Sequence, residues 1–140
     1  MKPRRKPRQT EHAMQCAVIQ ACRYLEREYP EVKSLFAIPN GGHRHIAVAA
    51  KLKASGVKSG VPDLFLPLPI PGASAGFWIE MKAPGGTVTQ NQGDYLRFLS
   101  EVGFLTKVCY SSLDAVDEIR EYLMRRRSVM IAINHDPVLG

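Results

Sequence analysis

Two stretches decide the fold: Pro62-Asp63-Leu64-Phe65-Leu66 and Phe77-Trp78-Ile79-Glu80-Met81-Lys82. Each holds an apolar run of strand length, bounded by chain-breaking residues. Pro67 and Pro69 end the first, and the loop that follows to about Gly76 is rich in proline, glycine and alanine. Pro84-Gly85-Gly86 turns the chain after the second. Strands are expected over 63–66 and 77–82. Side chains alternate between faces along a strand, so Glu80 and Lys82 project from one side with Trp78, and Met81 from the other. Asp63 begins the neighbouring strand. If the two strands pair through the loop at 69–75, both carboxylates reach one point with the Lys82 ammonium beside them.

Outward from this pair the periodicity becomes helical. Thr10 suits an N-cap, and Met14, Val18, Cys22 and Leu25 recur at helical spacing with Ala17 and Ala21 between them. A helix is expected over about 10–29, ended by Pro30. Residues 34–38 read as a short strand and 39–42 as a turn. A second helix is expected over 44–55, with Ile46, Ala49 and Ala50 inward and Gly56 as its C-cap. Thr89 caps a helix over about 90–101 that carries Tyr95, Leu96, Phe98 and Leu99 on or near its buried face, and Gly103 ends it. Residues 104–110 form a strand and Leu113 to about Arg126 the last long helix, while the apolar run Val129 to Ile133 offers an edge strand. The alternation implies an α/β fold, one mixed central sheet flanked by helices on both faces. The strand at 77–82 joins that at 104–110 through a helix, which predicts a right-handed crossover and a parallel pair.

The 140 residues suit one domain. Its expected organisation is a flexible basic arm at 1–9, a folded domain at 10–127 and a C-terminal tail at 128–140. Lys2, Arg4, Arg5, Lys6 and Arg8 crowd the arm, with Pro3 and Pro7 between them. A net charge of +6 favours a polyanionic partner. Cys16, Cys22 and Cys109 form no C-x-x-C pair, which argues against a zinc site and for reduced thiols in a cytoplasmic setting. No apolar run approaches the roughly 20 residues that span a bilayer, and no apolar segment follows the charged N-terminus as in a secretory signal.

An E-x-K triplet on a solvated strand is commonly a surface ion pair, and Pro-Asp is common in turns. Here both sit in apolar surroundings: Asp63 precedes Leu-Phe-Leu and Glu80 follows Phe-Trp-Ile. Acids inside core strands are costly unless paired or bound to metal. Two carboxylates and a backbone carbonyl give the hard oxygen donors that Mg²⁺ or Mn²⁺ prefers. Such a metal acidifies water and offsets charge on a phosphate, and a nearby lysine orients or deprotonates the water or offsets charge itself. Asn40, Arg44, Lys53 and Lys58 are candidate nucleic-acid contacts, with a turn or a solvated helix face as the plain alternative.

Pro62-Asp63 with Glu80-Met81-Lys82 resembles the signature of the PD-(D/E)xK nuclease superfamily. Thr10-Glu11 with Gln15, Ile38 to Arg44, Leu52 to Leu64 and Thr89-Gln90-Asn91-Gln92 are similar to the VRR-NUC branch, the virus-type replication-repair nucleases, over about residues 10–123. The resemblance implies a restriction-endonuclease-like core and a Mg²⁺- or Mn²⁺-dependent endonuclease acting on DNA. It implies Asp63, Glu80 and the carbonyl of Met81 as metal ligands and Lys82 as the catalytic lysine. Gln92 would position water, phosphate or Lys82, and Glu11 would add to the acidic centre. Stand-alone members resemble junction resolvases, which implies a homodimer cutting branched DNA, four-way junctions above all, in a bacterial or phage-infected cytoplasm. A monomeric flap or single-strand nuclease and a non-catalytic DNA-binding module are the competing readings.

Overall fold

The computed structural model describes residues 10–39 and 45–138. In chain order these are α1 (Glu11–Leu25), a 3₁₀ turn (Pro30–Ser34), β1 (Phe36–Ala37), α2 (Ile46–Ala54), β2 (Leu64–Leu66), β3 (Phe77–Met81), α3 (Gln90–Glu101), β4 (Leu105–Cys109) and α4 (Ser112–Asn134). The strands form one sheet in the order β1-β2-β3-β4. β1 and β3 each pair antiparallel with β2, and β4 pairs parallel with β3, so the sheet is mixed as expected.

Strand alternation divides the chemistry between the two faces. Leu64, Leu66, Phe77, Ile79 and Met81 share one face and are fully buried with Met14, Val18, Ile119 and Tyr122 from α1 and α4. Met14, Val18, Cys22 and Leu25 form the buried stripe of α1 that the spacing predicts. The Phe77 and Tyr122 rings meet edge-to-face at 5.1 Å. Fully burying each such side chain is worth about 1.5–3 kcal/mol, so this layer supplies most of the folding drive. The opposite face carries Phe65 stacked on Trp78 at 4.1 Å, then Asp63, Glu80 and Lys82, with α3 alongside.

Local signals set the helix ends. Thr10 Oγ1 accepts from the Ala13 amide at 3.0 Å, and Thr89 forms a reciprocal capping box with Gln92. Gly103 (φ +104°) closes α3 with the amide of Phe104 on the carbonyl of Leu99, a Schellman turn that a side chain at that φ would strain.

Four expectations need correction. Residues Val129 to Ile133 form no edge strand; they continue α4 to Asn134. No glycine or proline interrupts 113–134, and Arg126 and Arg127 dock the helix, donating to the carbonyls of Pro69 and Glu28. α1 ends at Leu25, short of residue 29, and the 3₁₀ turn that follows buries Val32. α2 buries none of its residues: Ile46 is 85% exposed, and Ala49 and Ala50 are exposed where an inward face was expected. Among the described residues no element covers its apolar side chains, which periodicity alone does not report. Phe98 on α3, expected near the buried face, is 55% exposed, whereas Leu99 is buried.

Candidate active site

The antiparallel register sets Leu64 opposite Ile79 and thereby Asp63 opposite Glu80, two acids facing each other across neighbouring strands. Asp63 Oδ2 accepts from the Met81 amide at 2.8 Å, which fixes its carboxylate at the end of the β2–β3 ladder. Glu80 is 2% exposed and Lys82 6%. Lys82 Nζ lies 3.9 Å from Glu80 Oε1, and the Lys82 amide donates to the Cys109 carbonyl at 2.9 Å, extending the β3–β4 pairing to the site.

Gln92 reaches the same acid from α3. Its Nε2 donates to Glu80 Oε1 at 3.2 Å while its Oε1 accepts from the Thr89 amide at 3.0 Å. The capping box therefore aims the side chain: one end is tied to the helix start and the other to Glu80. Glu11, in the first turn of α1, accepts from the Ala83 amide at 3.4 Å. The five residues of the expected centre thus come together from α1, the β2 entry, β3 and α3. Asn40 and Arg44 lie outside the described residues, as does the arm. Lys53 and Lys58 are exposed on and just after α2.

Electrostatics at this point are strongly biased. Burial, then the facing Asp63 carboxylate, push the Glu80 carboxyl from 4.5 up to about 8, with Lys82 opposing. Burial also raises Asp63, opposed by its hydrogen bond from the Met81 amide. Glu80 Oε2 is buried with no hydrogen-bond partner. A buried carboxylate oxygen without a donor is destabilising unless a cation or proton meets it. Among the described residues no three His, Cys, Asp or Glu side chains converge closely enough to hold an ion by themselves. Two carboxylates with a carbonyl of the adjoining backbone would suit Mg²⁺, since that ion keeps waters and substrate oxygens in its shell.

Sequence reasoning missed one support of the site. Gly60 (φ +87°) presses on the start of α3, where an added Cβ would stand 2.7 Å from the backbone of Asn91. The Asn91 side chain donates to Ser59 Oγ at 3.1 Å. This clamp joins the segment that leads into Asp63 to the helix that carries Gln92. Serine and glycine favour a loop at 59–60, but nothing in the sequence names its partner.

Known proteins share this domain and this fold. The family model of the VRR-NUC domain matches residues 5–113. A solved structure described as a VRR_NUC domain protein superposes with a TM-score of 0.67 at 26% identity, over 82% of this chain and 88% of the other. No curated protein matches the chain. The family match spans most of the sequence and contains Glu11, Asp63, Glu80, Lys82 and Gln92, and the chain belongs to the VRR-NUC family, nuclease domains of the PD-(D/E)xK type.

Proposed function

We propose that the chain is a divalent-metal-dependent endonuclease that hydrolyses phosphodiester bonds of branched DNA, with Asp63, Glu80, Lys82, Gln92 and Glu11 as its working residues. The observation that carries this reading is the meeting of half-buried Asp63 with buried Glu80 and Lys82, with Glu80 Oε2 left without a donor. Asp63, Glu80 and the carbonyl of Met81 would hold Mg²⁺ or Mn²⁺. The Met81 amide and carbonyl leave the strand on the same side, and the amide already meets Asp63. When bound, the metal acidifies water and offsets charge on the phosphate.

The remaining chemistry belongs to side chains. Lys82 stands beside the carboxylates with little access to bulk water, so its position relative to the scissile phosphate is fixed. It orients or deprotonates the attacking water, and a cation there also offsets charge on the phosphate oxygens. Gln92 restrains Glu80 and presents its amide at the same point. Glu11 adds negative charge at the rim, which favours metal and opposes a bare phosphate.

Four-way junctions cut by a homodimer are the substrate and assembly proposed. Purified protein with Mg²⁺ or Mn²⁺, given labelled duplex, flap, fork and four-way junction DNA, tests the reading. Cleavage of branched substrates that stops in chelator and in Asp63→Asn supports it. Undiminished cutting by Asp63→Asn, or no cutting of any DNA with either metal, overturns it.

A further inference from the structure

A groove of about 1000 Å³ opens between α2 and α3, at the upper end of the range of about 300–1,000 Å³ common for ligand sites. Leu52 and Lys53 of α2 line it, with Lys58 beyond that helix and Asn91, Tyr95 and Phe98 of α3. Tyr95 and Phe98 stand edge-to-face with ring centroids 6.4 Å apart. More than half of the Phe98 surface is open to solvent. The lining also includes Asp94, but its carboxylate already receives Gln90 Nε2 at 2.9 Å and faces Arg97 at 3.8 Å. Among the described residues neither Lys53 nor Lys58 has a salt bridge, so the groove's uncompensated charge is positive.

An apolar, aromatic concavity with cations attracts a particular kind of polyanion. Duplex DNA hides its base faces in the stack and presents phosphates and base edges. An unpaired strand exposes flat apolar faces at each nucleotide beside its phosphates, and sites for it combine aromatic platforms with a basic track. The groove and the candidate centre share helix α3. Asn91 in its lining precedes Gln92, whose amide is 3.2 Å from Glu80 Oε1.

We propose that this groove holds the unpaired nucleotides next to the cleaved phosphate, with bases against Tyr95 and Phe98 and phosphates toward Lys53 and Lys58. The inference rests on the reading of the chain as a DNA nuclease and adds what it holds: a strand unpaired at the branch, either a flap or fork strand or the nucleotides freed when base pairs open at the crossover of a four-way junction. α3 carries both the groove's rings and Gln92, which places the cut close to where paired DNA gives way to unpaired.

The test is binding in chelator, by fluorescence anisotropy, of a labelled single strand, its matched duplex and the same strand made abasic. Phe98→Ala removes an exposed side chain, and a thermal melt verifies its fold. Its affinity for the single strand is expected to fall about tenfold, as for the loss of one stacked base, and to fall less for the duplex. The wild type should lose a similar factor on the abasic strand, with no further loss in Phe98→Ala. Lys58→Ala should lower the salt slope on the single strand by about 0.7. Unchanged single-strand affinity in Phe98→Ala, or an equal loss on duplex, overturns the proposal. A Phe98→Ala protein that halves its mass by light scattering also overturns it and gives the groove to a second copy of the chain. Because binding is read without metal, it is independent of cleavage: a chain that cuts no DNA yet shows the expected pattern keeps the groove and loses the nuclease reading.

Discussion

At Glu80 the demands of the site oppose those of the fold. Burial and the facing Asp63 hold its carboxyl at about 8, where an exposed glutamate lies at 4.5. Between those two pH values the folded chain keeps a proton that the unfolded chain has released. The metal-free protein therefore loses stability as pH rises from 4.5 to about 8, and the loss levels off above that. Glu80→Gln keeps the shape and removes the ionisation. In chelator it is expected to flatten this slope and to melt several degrees above wild type at alkaline pH, at about 3–5 °C per kcal/mol regained. Cleavage should be lost in the same variant. Parallel melts of the two proteins across that window check it, and superimposable profiles would sink the argument. Lys82 separates chemistry from binding. It is one cation among many for the DNA backbone but, among the described residues, the one ion-paired with Glu80, so Lys82→Ala should cut cleavage by at least about 100-fold while DNA affinity in chelator stays within about twofold. Single-turnover rates with anisotropy titrations decide between this and a lysine that merely binds.

Between elements, the clamp of Gly60 on Asn91 sets the distance from Asp63 to Gln92. Gly60→Ala meets both a left-handed φ and a backbone 2.7 Å away, so it is expected to destabilise by about 1–3 kcal/mol and to lower kcat more than KM. Gly103→Ala, with φ +104° and nothing within 4 Å, shares the first penalty and not the second. It should lose stability and keep its turnover. Urea melts and steady-state kinetics on the pair separate strain from misplacement; equal kinetic defects would mean that the clamp positions nothing. This contrast also marks how far sequence reaches. Met14, Val18, Cys22 and Leu25 were legible because one stripe of α1 is buried along its whole length, and Thr10 and Thr89 because caps act within three residues. Asp63, Glu80 and Lys82 were legible because strand alternation and a single pairing bring them together. Glu11 and Gln92 carried no such signal and were reached through family resemblance. α2 has an apolar composition that no described element covers, so composition and periodicity point to an inward face that the fold does not bury. The end of α4 was misplaced because Arg126 and Arg127 read as a terminus, whereas the carbonyls of Pro69 and Glu28, distant in sequence, receive them. Gly60 against Asn91 and the exposed Phe98 depend on packing between elements, which no local pattern encodes.

For the whole molecule, charge and symmetry govern how DNA is met. Residues 1–9 bring Lys2, Arg4, Arg5, Lys6 and Arg8, and each phosphate they neutralise adds about 0.9 to the slope of log affinity against log salt on duplex DNA. Deleting them should lower that slope measurably; an unchanged slope means that they never touch DNA. Symmetry sets a stronger requirement. One chain offers one Asp63–Glu80–Lys82 centre, and one centre cuts one strand at a time. A four-way junction needs two cuts related by its own two-fold axis, which a two-fold dimer supplies. Ile46 and Val48 of α2, 85% and 50% exposed, are the apolar surface that such an interface would bury, with Ile131 near the end of α4 at 51%. The wild type is expected to scatter light as a dimer. Ile46→Asp with Val48→Asp should yield a folded monomer that cuts single strands of the junction without pairing the cuts. Supercoiled cruciform plasmid reads this directly, since paired cuts linearise it and unpaired cuts only nick it. A monomeric wild type that linearises the plasmid, or monomeric α2 variants that still linearise it, would remove the two-fold argument and leave each centre acting alone.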